Sequence, residues 1–411
     1  MSRPYLAILA LLLAAPALAT NTSRKATLRV TLHDGSVVEG DLSWKDQKLE
    51  VRGRARKRIA YRDISEISAP PLPTDEELKQ EVEARKQKAK ALDDWIKLAR
   101  WAEERGLEDA AADAWEQARA LDAERKEVRE GLGELQDEGG QWVAAGVVLS
   151  GRRAKLKPGD KDGLVDLATY AFEHGQRSAG FDLLVEVLVQ DTYFARALKL
   201  IRAHTDDYRQ ATKLCFPLAG RWKASEDKGR HHQLKAYATY ALDLNKVDGE
   251  GRLCRGKGKQ LEDYFAWGEP FYAVADGTVV EVREGNPDNP IGQIGDAFEK
   301  HNGVSLDHGN GELSWYVHAK KGSIKVKLGD RVKRGQLLGE VGNSGGSAIP
   351  HLHFTLISFR RISVPWRCEA FELIAPDGTP IRVRDAWPRE GWTIQTKPPA
   401  AAPAGTEERK N

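Results

Sequence analysis

A glycine-rich turn, Gly342-Asn343-Ser344-Gly345-Gly346-Ser347, is followed closely by His351-Leu352-His353, which opens the apolar run Phe354-Thr355-Leu356-Ile357. That pattern fits a strand entered from a tight turn. Side chains of a strand alternate faces, so His351 and His353 point the same way. Two imidazoles on one face, at the mouth of a sheet, suit one metal ligand and one catalytic acid or base. A His-x-His pair alone is weak evidence, because most such pairs are ordinary surface or core histidines. The surrounding sequence decides the matter.

The chain has 411 residues, enough for two or three domains. It is 41% hydrophobic and 30% charged, the balance of a soluble globular protein. A formal net charge of +2 argues against a nucleic-acid binder driven by bulk charge. Arg54 to Arg58 holds four basic side chains in five positions and reads as a solvated loop. At the start, Arg3 precedes the apolar stretch Tyr5 to Ala15, and Ala17-Leu18-Ala19 fits a small-x-small cleavage pattern. Residues 1–19 are therefore expected to be a signal peptide, with no second membrane span and no stable membrane anchor. The expected location is exported, in a periplasm, an extracellular space or the cell envelope. Export permits a disulfide. Of Cys215, Cys254 and Cys368, the pair Cys254 and Cys368 flanks the C-terminal region, and one thiol must be left over.

Composition divides the chain into three parts. Residues 20–69 read as a small β unit: Leu28, Val30 and Leu32 alternate with polar residues, and Asp34-Gly35 is a tight-turn signal. This unit resembles a small SH3-like or Sm-like barrel. Ala69-Pro70-Pro71-Leu72-Pro73 is a stiff break, and residues 74–225 then read as helical. Leu98, Ala99, Ala102, Glu104, Gly106, Ala110 and Asp122 recur as Leu167, Ala168, Ala171, Glu173, Gly175, Ala179 and Asp191, each 69 residues later. That offset is close to twice the roughly 34-residue period of tetratricopeptide repeats, which the zone resembles. Such hairpins imply a protein partner rather than catalysis. From 226 to 395 glycine and β-branched residues dominate, and 396–411 reads as a disordered tail.

The motifs of 226–395 are Gly268-Glu269-Pro270-Phe271-Tyr272-Ala273, Ala275-Asp276-Gly277-Thr278, Asn302-Gly303-Val304-Ser305-Leu306-Asp307-His308-Gly309, Trp315-Tyr316-Val317-His318, Gly335-Gln336-Leu337-Leu338-Gly339 and Pro350-His351-Leu352-His353-Phe354. In order and spacing they resemble a lysostaphin-type (LytM-like) zinc metallopeptidase domain, over about two-fifths of the chain. The expected fold class is thus multidomain α+β: a small N-terminal β barrel, an α-helical repeat region, and a C-terminal, mainly antiparallel β metallopeptidase domain.

The resemblance implies a Zn2+ ion held by one early histidine, one early aspartate and the second histidine of His-x-His, here His353. The compact His-x-x-x-Asp form of the early pair is absent. A variant form has the aspartate in Tyr-Ala-x-Asp with a histidine 11 residues upstream, which implies Asp243 and His232. His231 and Asp263 stand as rivals. Two imidazoles and a carboxylate leave one position for water on a catalytic zinc. His318 and His351 match the family's two non-ligand histidines and would move protons or stabilise the oxyanion. His308 reads as structural, and His301 as an exposed loop residue. The implied activity is zinc-dependent hydrolysis of peptide bonds in peptidoglycan stems or cross-bridges. The alternative is a catalytically inactive LytM-like scaffold or activator of cell-wall amidases. A biotin- or lipoyl-carrier reading of Gly329 to Gln336 lacks a lysine on the turn and leaves His-x-His unexplained.

Overall fold

The computed structural model describes residues 28–45, 48–53, 56–69, 73–103, 105–205, 208–225, 236–295, 300–309, 311–358 and 362–398. The expected signal segment and the candidate ligands His231 and His232 lie outside these residues, as does 399–411. Thr396, expected to begin the tail, instead ends the strand Thr393–Thr396, which pairs with Gly220–Ser225 and buries Ile394.

Alternation builds the C-terminal region. In Leu352–Ser358, Leu352, Phe354 and Leu356 are wholly buried in the main core. Each such side chain contributes about 1.5–3 kcal/mol relative to exposure. The intervening His353, Thr355 and Ile357 take the opposite face. One sheet runs in the order Arg331–Val332, Gly277–Arg283, Gly303–Asp307, Glu312–Val317, Leu352–Ser358, Leu242–Lys246 and Gly220–Ser225. It continues through Thr393–Thr396, Cys368–Ile374 and Pro380–Ala386 into the N-terminal strands Ile64–Ser68, Leu28–Leu32, Val37–Lys45, Lys48–Arg52 and Arg56–Ala60.

The N-terminal unit therefore differs from a free-standing barrel. Its strand pairings do not close into a ring among the described residues. Ile64–Ser68 instead takes Pro380–Ala386 as a parallel partner, with Val383 opposite Ile67. Leu28, Val30 and Ile67 share one core with Trp222, Tyr316 and Phe354. Arg384 Nε lies 3.0 Å from Glu66, and Arg389 Nη1 donates to Asp41 at 2.9 Å. Of the basic stretch read as a loop, Arg56 to Arg58 lie in the strand Arg56–Ala60, whose Ile59 is buried in the core.

Eight helices are present among the described residues. Asp75–Lys88 opens with a Thr74–Glu77 capping box. Leu92–Glu103 and Glu108–Leu121 form one hairpin, and Lys161–Glu173 and Arg177–Gln190 another, with starts offset by 69. Helices start at Leu92, Lys126, Lys161 and Ala195, steps of 34, 35 and 34 residues. The helix from Lys126 is only six residues long, and a β hairpin, Glu134–Gln136 with Trp142–Ala144, follows it. Small residues set the close approach: a β-carbon on Gly180 would stand 2.9 Å from the Phe172 ring. The helices end at Thr205, earlier than the expected limit at 225, because Gly220–Ser225 joins the sheet.

The helices are tied to the sheet. Ala236 and Ile362 pack into the same core as Leu164, Leu184 and Ile201. The buried Glu312 carboxylate accepts from the Tyr208 hydroxyl at 2.9 Å and from the Ala211 and Thr212 amides at 2.8 Å each. Burial and that carboxylate push the Tyr208 phenol far above its ordinary range, so it remains a donor. Cysteine placement overturns the pairing of Cys254 with Cys368. Cys254 bridges to Tyr264, whereas Cys368 pairs with Leu214 beside Cys215, and none of the three is in a disulfide.

Two outcomes follow. Glu312→Ala removes the shared acceptor of three donors at a buried position, so it should cost about 1–3 kcal/mol, read as a lower denaturant midpoint. Burial raises the thiol pKa of both Cys215 and Cys368, while Cys254 is partly exposed. A thiol reagent on the native chain at pH 8 should label Cys254 well before the other two. Equal labelling of all three would contradict this packing.

Candidate metal and catalytic site

Register creates the site. His353 stands directly opposite Asp243 on Leu242–Lys246 and opposite Val317 on Glu312–Val317. Residues directly opposite in an antiparallel pair share a face. The Asp243 side chain thus meets His353 from one neighbour, and His318 follows Val317 from the other. His353 Nδ1 lies 3.0 Å from Asp243 Oδ1, and His351 Nε2 lies 3.3 Å from the same oxygen. The His318 ring centroid is 4.7 Å from that of His351 and 5.8 Å from that of His353. All four side chains are buried.

Carbonyls fix two of the rings. His318 Nδ1 is 2.7 Å from the Ser344 carbonyl oxygen, and His351 Nδ1 is 2.8 Å from that of Ile349. A carbonyl only accepts, so in both rings Nδ1 carries the proton and donates. The neutral imidazoles therefore hold their lone pairs on Nε2. Burial, with His351 and His353 nearby, lowers the His318 pKa well below its usual value. His318 also has φ +69°, a left-handed conformation that a non-glycine residue rarely takes. Two backbone bonds hold it there: Gly342 N–H donates to the His318 carbonyl at 2.9 Å, and Ala319 N–H donates to Asn302 at 3.0 Å.

A polar clamp missed by the sequence reading supports these rings. Asn302 is fully buried, donates to Asn286 and Ala319 carbonyls, and its own amide donates to Ser344 Oγ. Ser347 Oγ lies 2.6 Å from Asn343 Oδ1 and 3.2 Å from His351 Nδ1. Asp288 accepts from the Asn343 amide at 2.7 Å, and Asn289 Nδ2 donates to the Gly345 and Ser347 carbonyls. The signal was the run of Asn and Ser inside the glycine-rich turn, which marks a loop but not its partners.

The other candidates fall outside the cluster. Asp263 is occupied as a turn cap, accepting from the Lys259 and Gln260 amides at 2.8 and 3.0 Å. His308 bridges the Asp276 carbonyl and Ser314 Oγ, and burial lowers its pKa, a structural placement. His301 is not exposed as expected but fully buried, edge-on to Trp315 at 5.7 Å and pressed against the Gly345 turn.

Among the described residues no three His, Cys, Asp or Glu side chains form a group able to hold a metal ion. Asp243 and His353 are nevertheless a fitting pair. Donor atoms about 2.0–2.1 Å from a tetrahedral zinc lie about 3.3 Å apart, close to the observed separation. A nitrogen and an anionic oxygen are also the donor types zinc takes.

Residues 260–364 match the family model Peptidase family M23. This is a family of metallo-endopeptidases, generally zinc-dependent. The glycyl-glycine endopeptidase ALE-1 of Staphylococcus capitis is 39% identical over 120 residues, 29% of this chain and 27% of that protein. The peptidoglycan DD-endopeptidase ShyA of Vibrio cholerae is 39% identical over 90 residues, 22% of this chain and 18% of that protein. Lysostaphin of Staphylococcus staphylolyticus is 38% identical over 120 residues, 29% and 20% of the two chains. The chain thus spans at most 27% of the length of these relatives.

Gly345 tests the clamp. It has φ +71°, and a β-carbon there would stand 2.7 Å from His301 Cβ. Gly345→Ala should destabilise the protein by about 2 kcal/mol. A variant that melted with the parent would show that the turn is not fixed by this contact.

Proposed function

We propose that this protein is an exported, zinc-dependent endopeptidase that hydrolyses peptide bonds of peptidoglycan stems or cross-bridges. The carrying observation is the convergence of Asp243, His353, His351 and His318 at the end of one sheet, with two rings held so that Nε2 is the basic atom. His353, through Nδ1, and Asp243 would hold the metal, with His232 as the third ligand. When bound, zinc supplies a hydroxide near neutral pH and polarises the scissile carbonyl.

The chain's own residues then supply proton transfer. His318 and His351 each present an Nε2 lone pair, so one of the two accepts the proton of the attacking water and becomes an imidazolium, while the other stabilises the developing oxyanion or serves the leaving amine. The Ser344 and Ile349 carbonyls keep both rings oriented through either step. Asp243 balances the positive charge that collects among three imidazoles.

The family match and the three relatives, each named as a peptidoglycan or glycyl-glycine endopeptidase or lysostaphin, support this reading. The steps of 34, 35 and 34 residues between helix starts support tetratricopeptide-type hairpins that hold a protein partner. Among the described residues no helix is long and apolar enough to cross a membrane. Export rests on the sequence of 1–19.

Purified peptidoglycan digested with the zinc-loaded protein should yield new peptide termini, detected by mass spectrometry, that vanish with a chelator. His351→Ala should keep its zinc and lose about 10²–10⁴-fold in rate, whereas His353→Ala should lose the metal itself. A folded, zinc-bearing protein that cleaves nothing would instead support the inactive scaffold or amidase activator.

A further inference from the structure

The outer face of the N-terminal strands carries a charged cluster that the proposed reaction does not use. Lys48–Arg52 turns Leu49 and Val51 into the core and Glu50 the other way. Yet Glu50 has no exposed surface. Among the described residues three arginines lie over it: Arg52 Nε at 2.8 Å, Arg58 Nε at 3.5 Å and Arg56 Nε at 3.6 Å. Register brings them together, since Glu50 is opposite Arg58 and Arg52 is opposite Arg56.

A single guanidinium would neutralise one buried carboxylate. Here three crowd around it, with side chains 50%, 61% and 56% exposed at Arg52, Arg56 and Arg58. Among the described residues no second carboxylate engages any of them. Lys48 is on the same face, and the Asp41 carboxylate opposite Arg52 is already bonded to Arg389. Glu50 offsets one of these charges, and the rest repel one another unless a further anion joins them. Each arginine makes its nearest approach to Glu50 through Nε, and each side chain keeps half or more of its surface open to solvent. Glu50 thereby orders the stems, lowering the entropy lost when the forks bind.

The occupant is argued from shape as well as charge. Arg56 and Arg58 are two residues apart on one strand, about 6.6–6.8 Å. A tetrahedral oxyanion offers oxygens to two forks at once, whereas a planar carboxylate matches one. Among the described residues of this unit the exposed large apolar side chain is Val37, which begins its strand and lies away from the Asp41 and Ser43 positions beside the cluster. A lipid surface would call for apolar anchors next to the cations. We propose that this face binds a soluble linear polyanion whose repeating groups are phosphates.

The test is fluorescence anisotropy of the full chain with end-labelled inorganic polyphosphate, from about 50 to 200 mM salt. The parent should bind with an affinity that falls steeply with salt. Arg56→Gln with Arg58→Gln should weaken binding about tenfold or more and flatten the salt slope by about 1.4–1.8, the value for two lost contacts. Arg56→Lys with Arg58→Lys keeps the charge and loses the forks, so it should bind several-fold more weakly at an unchanged slope. Failure of the parent to bind, or a glutamine variant with the parent's affinity and slope, would overturn the proposal. Equal binding of poly-glutamate would overturn the phosphate assignment. Binding to phosphatidylglycerol vesicles but not to polyphosphate would assign the face to a membrane instead. None of these readings depends on peptidase activity.

Discussion

In an antiparallel sheet the residue directly opposite shares a face, and a slip of one position sends every side chain of a strand to the other side. The pairing of His353 with Asp243 and with Val317 is such a constraint. It is enforced from beneath: Leu352, Phe354 and Leu356 are wholly buried, and a slip would exchange them for His353, Thr355 and Ile357. The apolar face thus specifies the register, and the register places the imidazoles. The core thus sets where His353 and Asp243 meet, and the carbonyls of Ser344 and Ile349 then orient the His318 and His351 rings beside them.

That dependence explains what was readable in the sequence. His351, His353 and His318 stood in short motifs that could be read locally. Asp243 was found through a short string, Tyr240-Ala241-Leu242-Asp243, and the structure brings it to His353 across 110 residues. Asp263 looked comparable on the page, but its carboxylate caps its own turn. The burial of His301 was not legible, because it depends on Trp315 and Gly345, both more than ten residues away. The clamp around Ser344 and Ser347 was hidden for the same reason: its partners, Asp288, Asn289 and Asn302, come from another loop.

The separation into parts was legible only in composition. Alternation and turns identified the N-terminal strands, but nothing local announces that Ile64–Ser68 will take Pro380–Ala386 as a parallel neighbour. An edge strand exposes unpaired amides and carbonyls, and another segment of chain satisfies them at low cost. Leu28, Val30 and Ile67 then lie in a core continuous with Trp222 and Phe354. The N-terminal and C-terminal strands therefore share one core although the helical region separates them in sequence.

The helical region is joined to the site by the same logic. Ala236 and Ile362 are buried among its helices, and the Tyr240 hydroxyl meets Thr205 at the end of the last helix, 3.3 Å away. The Tyr240 amide donates to Ser363 Oγ, and Trp366 Nε1 donates to the Tyr240 carbonyl. Three residues further on is Asp243. The backbone that delivers the carboxylate is therefore pinned on one side by the helices and on the other by the sheet. The rings of His318 and His351 are held differently, by carbonyls of the glycine-rich turn and of Ile349 just after it.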